Sequence, residues 1–163
     1  MASYYSTRTA YNSFLINTVT ITADAAIAED ERTLSITQTG TLFLIDASAA
    51  GTKLTIKLPS PIAAGMYFKF MWSTVSVREV NIQLQDNTDS FSGLIVRHTT
   101  AAPQYLDVSS DGTKDRLKYT RNTHAGSWVE AISDGSKWVV YGDHYGGDVD
   151  GVAYNGMEMV NDT

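Results

Sequence analysis

The chain has 163 residues, a formal net charge of −6 and no cysteine. This length suits one domain with its own hydrophobic core, and the missing thiols exclude disulfides and thiolate metal sites. The acidic balance argues against nucleic acid and anionic lipid as partners, since both need a basic protein face. No apolar run approaches the ~20 residues of a membrane-spanning helix.

Residues 1–17 show neither helical spacing nor strict alternation, and they lack the basic and apolar regions of a signal peptide. Tyr4, Tyr5, Tyr11 and Phe14 lie in this segment, although free tails are usually poor in aromatic residues. Tyrosine combines contact area with a polar tip, which suits a binding surface. We predict an extended N-terminal arm over residues 1–17 that docks on a partner. The alternative is that these rings pack on their own domain.

Residues 18–142 are dominated by short segments that alternate apolar and polar residues, which predicts β-strands. Ala23–Glu31 is the one helix-friendly segment and could supply a turn or two. Arg32–Gly40 alternates again, with Leu34 and Ile36 expected inward. Thr41–Asp46 is apolar on both faces, which is typical of a strand buried on two sides.

Further alternating segments follow, with turn signals every 8 to 12 residues. Their apolar positions predict inward side chains at Leu54, Ile56, Leu58, Met66, Phe68, Phe70, Trp72, Val80, Ile82 and Leu84. The strongest hairpin signal is Ser133–Ser136, where Asp134 and Gly135 can take positive φ. About ten strands and no long helical pattern predict an all-β fold, an antiparallel β-sandwich of jelly-roll type. Residues 18–142 form this domain, and residues 143–163 are predicted to be an irregular tail. No internal repeat is evident.

Metal-binding patterns are weak. His98, His124 and His144 show no ligand spacing and are expected to be loop or surface residues. Asp148–Gly151 faintly resembles part of a calcium loop, but a third oxygen ligand before the glycine and the glutamate six positions after it are missing. We therefore predict no metal and no cofactor, and leave cation binding by the Asp-rich tail open.

Catalytic patterns are equally weak. The carboxylate pairs Asp86 with Asp89 and Asp111 with Asp115 lie in turn signals, where aspartate usually bonds its own backbone. No Gly-x-Ser-x-Gly elbow and no phosphate-binding glycine loop is present. The tryptophans occupy apolar strand positions, as core residues do. The sequence predicts no catalytic residue and no enzyme.

Three units of the chain form a recognisable pattern. The first unit is a strand that ends in Leu-Pro, then a short loop and a glycine that begins the next strand; it comprises Leu54–Pro59 and Ala64–Phe68. Val80–Ile82 leads through Asp86 to Gly93–Ile95, and Ser127–Val140 forms a Trp-bearing hairpin. Over residues 33–142 this pattern resembles small structural proteins of tailed bacteriophages, including capsid decoration (cement) proteins, head fibres and tail-fibre domains.

The resemblance implies a structural virion protein, made in the host cytoplasm, that binds the capsid surface as a homotrimer and stabilises the shell. Its partners would be itself and the major capsid protein, with the arm reaching onto the shell. The alternative is a head- or tail-fibre tip that binds a host receptor or glycan, and a polysaccharide-degrading enzyme is a third hypothesis. The partner-binding residues expected on this reading are Tyr4, Tyr5, Tyr11, Phe14, Phe43 and Ile45.

Overall fold

The computed structural model describes residues 17–61, 63–86, 90–98, 103–107, 115–146 and 157–160. The twelve strands in this part of the chain are β1 Asn17–Thr22, β2 Glu29–Thr33, β3 Thr41–Asp46, β4 Lys53–Leu58, β5 Ala64–Trp72, β6 Glu79–Leu84, β7 Phe91–His98, β8 Pro103–Asp107, β9 Arg116–Tyr119, β10 Trp128–Asp134, β11 Trp138–Tyr145 and β12 Met157–Val160. The helical structure within the same ranges is a short 3-10 turn, and no helix there is long and apolar enough to cross a membrane. The prediction of an all-β fold is confirmed.

The strands form two mixed sheets. The seven-stranded sheet has the order β1-β3-β5-β10-β11-β7-β8, and the five-stranded sheet has the order β12-β9-β6-β4-β2. Of the ten described strand pairs, five are parallel: β1–β3, β3–β5, β7–β11, β2–β4 and β4–β6. The prediction of purely antiparallel sheets is therefore wrong, and the jelly-roll arrangement is not confirmed. Alternation could not give strand direction, because side chains alternate with period two in both kinds of pair.

The parallel pairs arise because the first six strands alternate between the sheets. The chain passes from β1 to β2, from β3 to β4 and from β5 to β6, changing sheet each time. Corresponding strands pair in register, as Asn17 with Thr41 and Thr41 with Phe68 show for the seven-stranded sheet. Residues 17–84 are thus three stacked coils, each made of one strand from either sheet. These coils repeat in structure although their sequences show no evident repeat.

The inner faces of both sheets meet in one hydrophobic core. The ring of Trp72 lies 4.4 Å from the ring of Tyr119, which joins the seven-stranded sheet to the five-stranded one. Trp138 contributes a second link, since its Nε1 donates to the carbonyl of Pro59 at 3.0 Å. All the side chains predicted to point inward from β4, β5 and β6 are buried. The fold is therefore β-sandwich-like, and the outer face of each sheet points away from the core.

A buried arginine fastens the three coils where they cross between sheets. Arg78 has no exposed surface, and its guanidinium donates to the carbonyls of Asp24, Ile27, Ala49 and Ala50. These carbonyls belong to the β1–β2 and β3–β4 crossings, while Arg78 itself ends the β5–β6 crossing. Five donors in a planar fork allow one guanidinium to satisfy several buried carbonyls at once. The side chain therefore joins three successive crossings.

Other parts of the fold differ from the sequence prediction. Ala23–Glu31 forms no helix, because β2 begins at Glu29 and pairs with β4. Ile36, expected inward, is 47% exposed in the 3-10 turn, whereas Leu34 is buried as expected. The segment predicted as an irregular tail contains the end of β11 through Tyr145 and all of β12. Pairing with distant strands supplies the order there, which local pattern does not reveal.

Candidate interaction face

The outer face of the seven-stranded sheet is rich in apolar and aromatic side chains. We call its central part the aromatic face, formed by outward residues of β3, β5, β10, β11 and β7. Its apolar and aromatic members are Leu42, Leu44, Tyr67, Met71, Trp128, Ile132, Val139, Tyr141, Tyr145, Leu94 and Val96. Strand register places them in rows across the sheet; one row runs Leu44, Met71, Trp128, Asp143 and Val96.

Several of these side chains are well exposed. Tyr141 is 49% exposed, Leu94 is 41% and Tyr145 is 39%, and the other members are half-buried. Monomeric proteins rarely expose a contiguous apolar patch of more than a few hundred Å² unless it is functional. Tyrosine, tryptophan and methionine are also the residue types enriched in protein interfaces. This face is therefore the candidate functional site.

One ion pair lies in the middle of the aromatic face. Lys69 Nζ donates to Glu130 Oε1 at 2.7 Å and lies 4.7 Å from the centre of the Trp128 ring. Burial, followed by the negative charge of Glu130 and a hydrogen bond to it, raises the pKa of Tyr67 to about 12. Tyr67 thus stays protonated at neutral pH and donates to Glu130. The charges inside this apolar patch are paired rather than isolated.

A second polar group marks the end of the aromatic face. The rings of His98 and Tyr145 stack with their centres 4.4 Å apart and their planes 8° from parallel. His98 Nε2 lies 3.1 Å from Asp143 Oδ1. Neighbouring strands β7 and β11 hold these residues together, because Tyr145 pairs with His98 in the parallel register. The arrangement fixes both rings before any partner binds.

The outer face of the five-stranded sheet is different in character. Its rows alternate in charge: Glu29, Lys53 and Glu79 lie side by side across β2, β4 and β6. The ammonium of Lys53 lies 3.2 Å from Glu29, and that of Lys118 lies 3.6 Å from Glu79. Such half-exposed pairs contribute little stability but keep a surface hydrated. Among the side chains that the structure describes, this face lacks the apolar rows of the opposite one.

The three histidines come closer together than the sequence indicates. His144 is buried, with its Nε2 3.2 Å from Thr123 Oγ1 and its ring 5.8 Å from the Tyr119 ring. Burial, together with the positive charges of Arg97, His124 and His98, lowers the pKa of His144 to about 4. The expectation that His144 is a loop or surface residue is wrong, because β11 carries it inward. Within the described ranges no group of three or more acidic or histidine side chains could hold a metal ion.

The predicted partner-binding residues fall into two groups. Tyr4, Tyr5, Tyr11 and Phe14 lie outside the described residues. Phe43 and Ile45 lie in the core, at 1% and 0% exposure, so their assignment to a contact surface of this chain is corrected.

The prediction named the wrong side of β3. In this strand the outward face is formed by Leu42 and Leu44, while Phe43 stacks on Phe70 at 5.5 Å. The aromatic face itself was missed, although apolar residues on both sides of β3 were a signal for it.

Comparison with known proteins adds no relative to this picture. The chain matches no protein-family model, and it matches no curated protein.

Proposed function

We propose that this chain is a structural virion protein of a tailed bacteriophage, which binds the outer surface of the capsid as a homotrimer and stabilises the shell. The aromatic face is the observation that supports an assembly role. The phage context rests on the resemblance of residues 33–142 to small virion β-domains. On this proposal the chain is made in the host cytoplasm, is not an enzyme and has the major capsid protein as its partner.

The size of the aromatic face suits a protein contact. Five strands about 4.8 Å apart, with up to about eight residues rising ~3.3 Å each, give the aromatic face an area on the order of 600 Å². A standard interface takes about 800 Å² from each partner. Three copies around a threefold axis would each bury this face against two neighbours. Binding only to the assembled lattice would then stabilise that lattice by mass action.

The trimer is tested by adding charge to the aromatic face. Leu94 and Tyr141 are adjacent in register and well exposed, so the double substitution Leu94→Lys with Tyr141→Lys should leave the core intact. We expect sedimentation velocity to show a trimer for the unmodified chain at micromolar concentration and at least tenfold weaker association for the variant. Val75→Lys with Val77→Lys, at two exposed positions of the β5–β6 crossing, is the matched double control.

The capsid role is tested by copy number. Quantitative mass spectrometry of purified virions should find this chain in numbers comparable to the major capsid protein. A handful of copies at the tail or one vertex would contradict the cement role. A free chain that sediments only as a monomer would contradict the trimer. Unchanged association of the double variant would remove the aromatic face from the contact.

The second candidate is a fibre-tip domain that binds a host receptor or glycan. Trp128 and Tyr141 on the aromatic face flank the ion pair of Lys69 with Glu130. Aromatic rings supply apolar platforms and charged groups supply hydrogen bonds, a combination common in ligand sites. Here Trp128→Ala should abolish binding to an immobilised host glycan without changing the association state. Loss of both together would favour the assembly role.

A further inference from the structure

The first coil forms one end of the sandwich. Within the described part of the chain, β1 pairs only with β3 and β2 pairs only with β4, so both are edge strands at the same end. The backbone of Ala23 bonds toward β3, because its N–H donates to the carbonyl of Asp46 at 2.9 Å. Backbone groups alternate sides along a strand. The N–H and C=O groups of Thr20 and Thr22 therefore point to the open edge.

The two edges differ in how they are protected. β2 carries Glu29 and Glu31, whose side chains are 63% and 54% exposed, and charged side chains discourage strand addition at an edge. β1 has no charged residue; it consists of Asn, three Thr, Val and Ile. Threonine and β-branched residues favour strands. Of these two edges, β1 is the one suited to accept another strand.

A cleft beside β1 adds a place for side chains. It has a volume of about 450 Å³, with Val19, Ile21, Leu34 and Phe43 contributing apolar groups and Arg32 and Gln38 on the rim. Val19 is 37% exposed there, although its register partner Phe43 is buried. A volume in the ~300–1,000 Å³ range is typical of ligand pockets. Alternate side chains of an added strand could enter it while the backbone pairs with β1.

Residues 1–16 have the composition that this edge accepts. Seven of them are Tyr, Thr, Phe or Ile, the single charged residue is Arg8, and Gly, Pro, Asp and Glu are absent. Sixteen extended residues span about 50 Å, far more than a six-residue edge needs. Two copies joined edge to edge would instead bring Glu29 and Glu31 of one β2 against those of the other. Like charges make that arrangement unfavourable.

We infer that β1 accepts residues 1–16 of a second copy as an added strand, with aromatic side chains of that segment in the cleft. The inference rests on the proposed self-assembly and assigns the arm to a sister copy rather than to the shell. A second copy is favoured over the same chain because residues 1–16 contain neither Asn-Gly nor Asp-Gly, the strongest short-range sequence signals for a hairpin back onto β1.

The test uses the full chain and its lack of cysteine. One copy carries Ser6→Cys or Ser13→Cys, a second copy with a distinguishing tag carries Thr22→Cys, and the two are mixed and oxidised. We expect a disulfide between tagged and untagged chains. Ser136→Cys in place of Thr22→Cys is the control, because Ser136 is exposed in the β10–β11 turn, and β3 and β5 separate that hairpin from β1.

A proline substitution makes the test specific to the edge. Thr20→Pro removes an N–H on the open side of β1 and leaves the ladder to β3 intact, whereas Thr20→Val keeps that N–H. Cross-linking should fall at least tenfold with Thr20→Pro and persist with Thr20→Val. Equal cross-linking in both overturns the inference, and so does a bond formed only within one chain. If Thr20→Pro lowers cross-linking while the trimer persists, the aromatic face and the β1 edge make separate contacts. If the unmodified chain is a monomer, the proposed function itself is contradicted.

Discussion

The first six strands and the last six are held together in different ways. In residues 17–84 each strand is followed by one in the other sheet, and every pairing within those residues is parallel. In residues 91–145 the best-defined unit is the β10–β11 hairpin, which inserts between β5 and β7. We call these the coil half and the hairpin half. The first depends on contacts far apart in sequence, and the second begins from a local turn.

This difference shows which strand pairings need support from side-chain contacts far from any turn. Asn17 pairs with Thr41 and Thr41 with Phe68, so each coil closes a loop of more than twenty residues. Closing long loops costs entropy before the pairing is gained. The coil half offsets this with one buried side chain, Arg78, which joins three crossings. The hairpin half uses Asp134 and Gly135 to join neighbouring strands directly.

The largest expected effect comes from removing the Arg78 bonds. Arg78→Met keeps an unbranched side chain but leaves the carbonyls of Asp24, Ile27, Ala49 and Ala50 without this donor. Buried acceptors left unpaired cost about 1–3 kcal/mol each, so we expect a loss of about 3–5 kcal/mol in the free energy of unfolding. Urea denaturation measures it.

Two further variants separate charge from geometry at this site. Arg78→Lys keeps the charge but has at most three donors. Its free energy of unfolding should lie between those of Arg78→Met and the unmodified chain. Arg121→Met, at an exposed loop position, should change stability by less than about 0.5 kcal/mol. A loss of under 1 kcal/mol for Arg78→Met would mean that backbone pairing alone holds the coils.

The next effect is a pH dependence that arises from His144 in the hairpin half. His144 has its pKa lowered to about 4 from 6.5, by burial and by the charges of Arg97, His124 and His98. The unfolded chain therefore binds the proton first, so stability is complete above pH 6.5 and falls as the pH drops toward 4. The loss should reach about 3 kcal/mol.

His144→Gln isolates this contribution, because glutamine cannot take up the proton. Unfolding free energies of the two chains should be compared at pH 7 and pH 4.5 in urea. The unmodified chain should lose more stability between these values than the variant does. Parallel curves would show that groups other than His144 account for any acid sensitivity.

The same contrast explains what the sequence predicted. The strands β3, β4, β5 and β6 were predicted correctly, and so were the inward residues of β4, β5 and β6, because burial on one face imposes alternation. Parallel stacking was not predictable, since the crossings carry no motif and their register depends on Arg78, a residue that reads as an ordinary surface charge. The aromatic face was missed for a related reason. Its rows assemble from five strands, and the apolar residues on both sides of β3 could not show which strands lie beside it.

The smallest effect concerns the turn that the sequence predicted best. Asp134 Oδ1 accepts hydrogen bonds from the backbone N–H groups of Ser136 and Lys137 at 2.8 and 2.9 Å, and Gly135 has φ of +96°. These backbone hydrogen bonds lower the pKa of Asp134, and the bond from Lys137 has the largest effect. The stability they contribute is present above pH 3.8 and is lost as the pH falls through the lower folded pKa.

Asp134→Ala should therefore lower the melting temperature at pH 7 by less than either change above, because Trp138 still anchors β11 to Pro59. The difference from the unmodified chain should shrink below pH 3, when the carboxylate is protonated in both folded and unfolded states. Asp134→Asn keeps an acceptor oxygen and should retain most of the stability. Amide exchange at Ser136 and Lys137 reports the turn directly, and it should accelerate in the alanine variant while exchange in β3 and β4 stays unchanged. Faster exchange in β3 and β4 as well would show that the hairpin half and the coil half unfold as one unit.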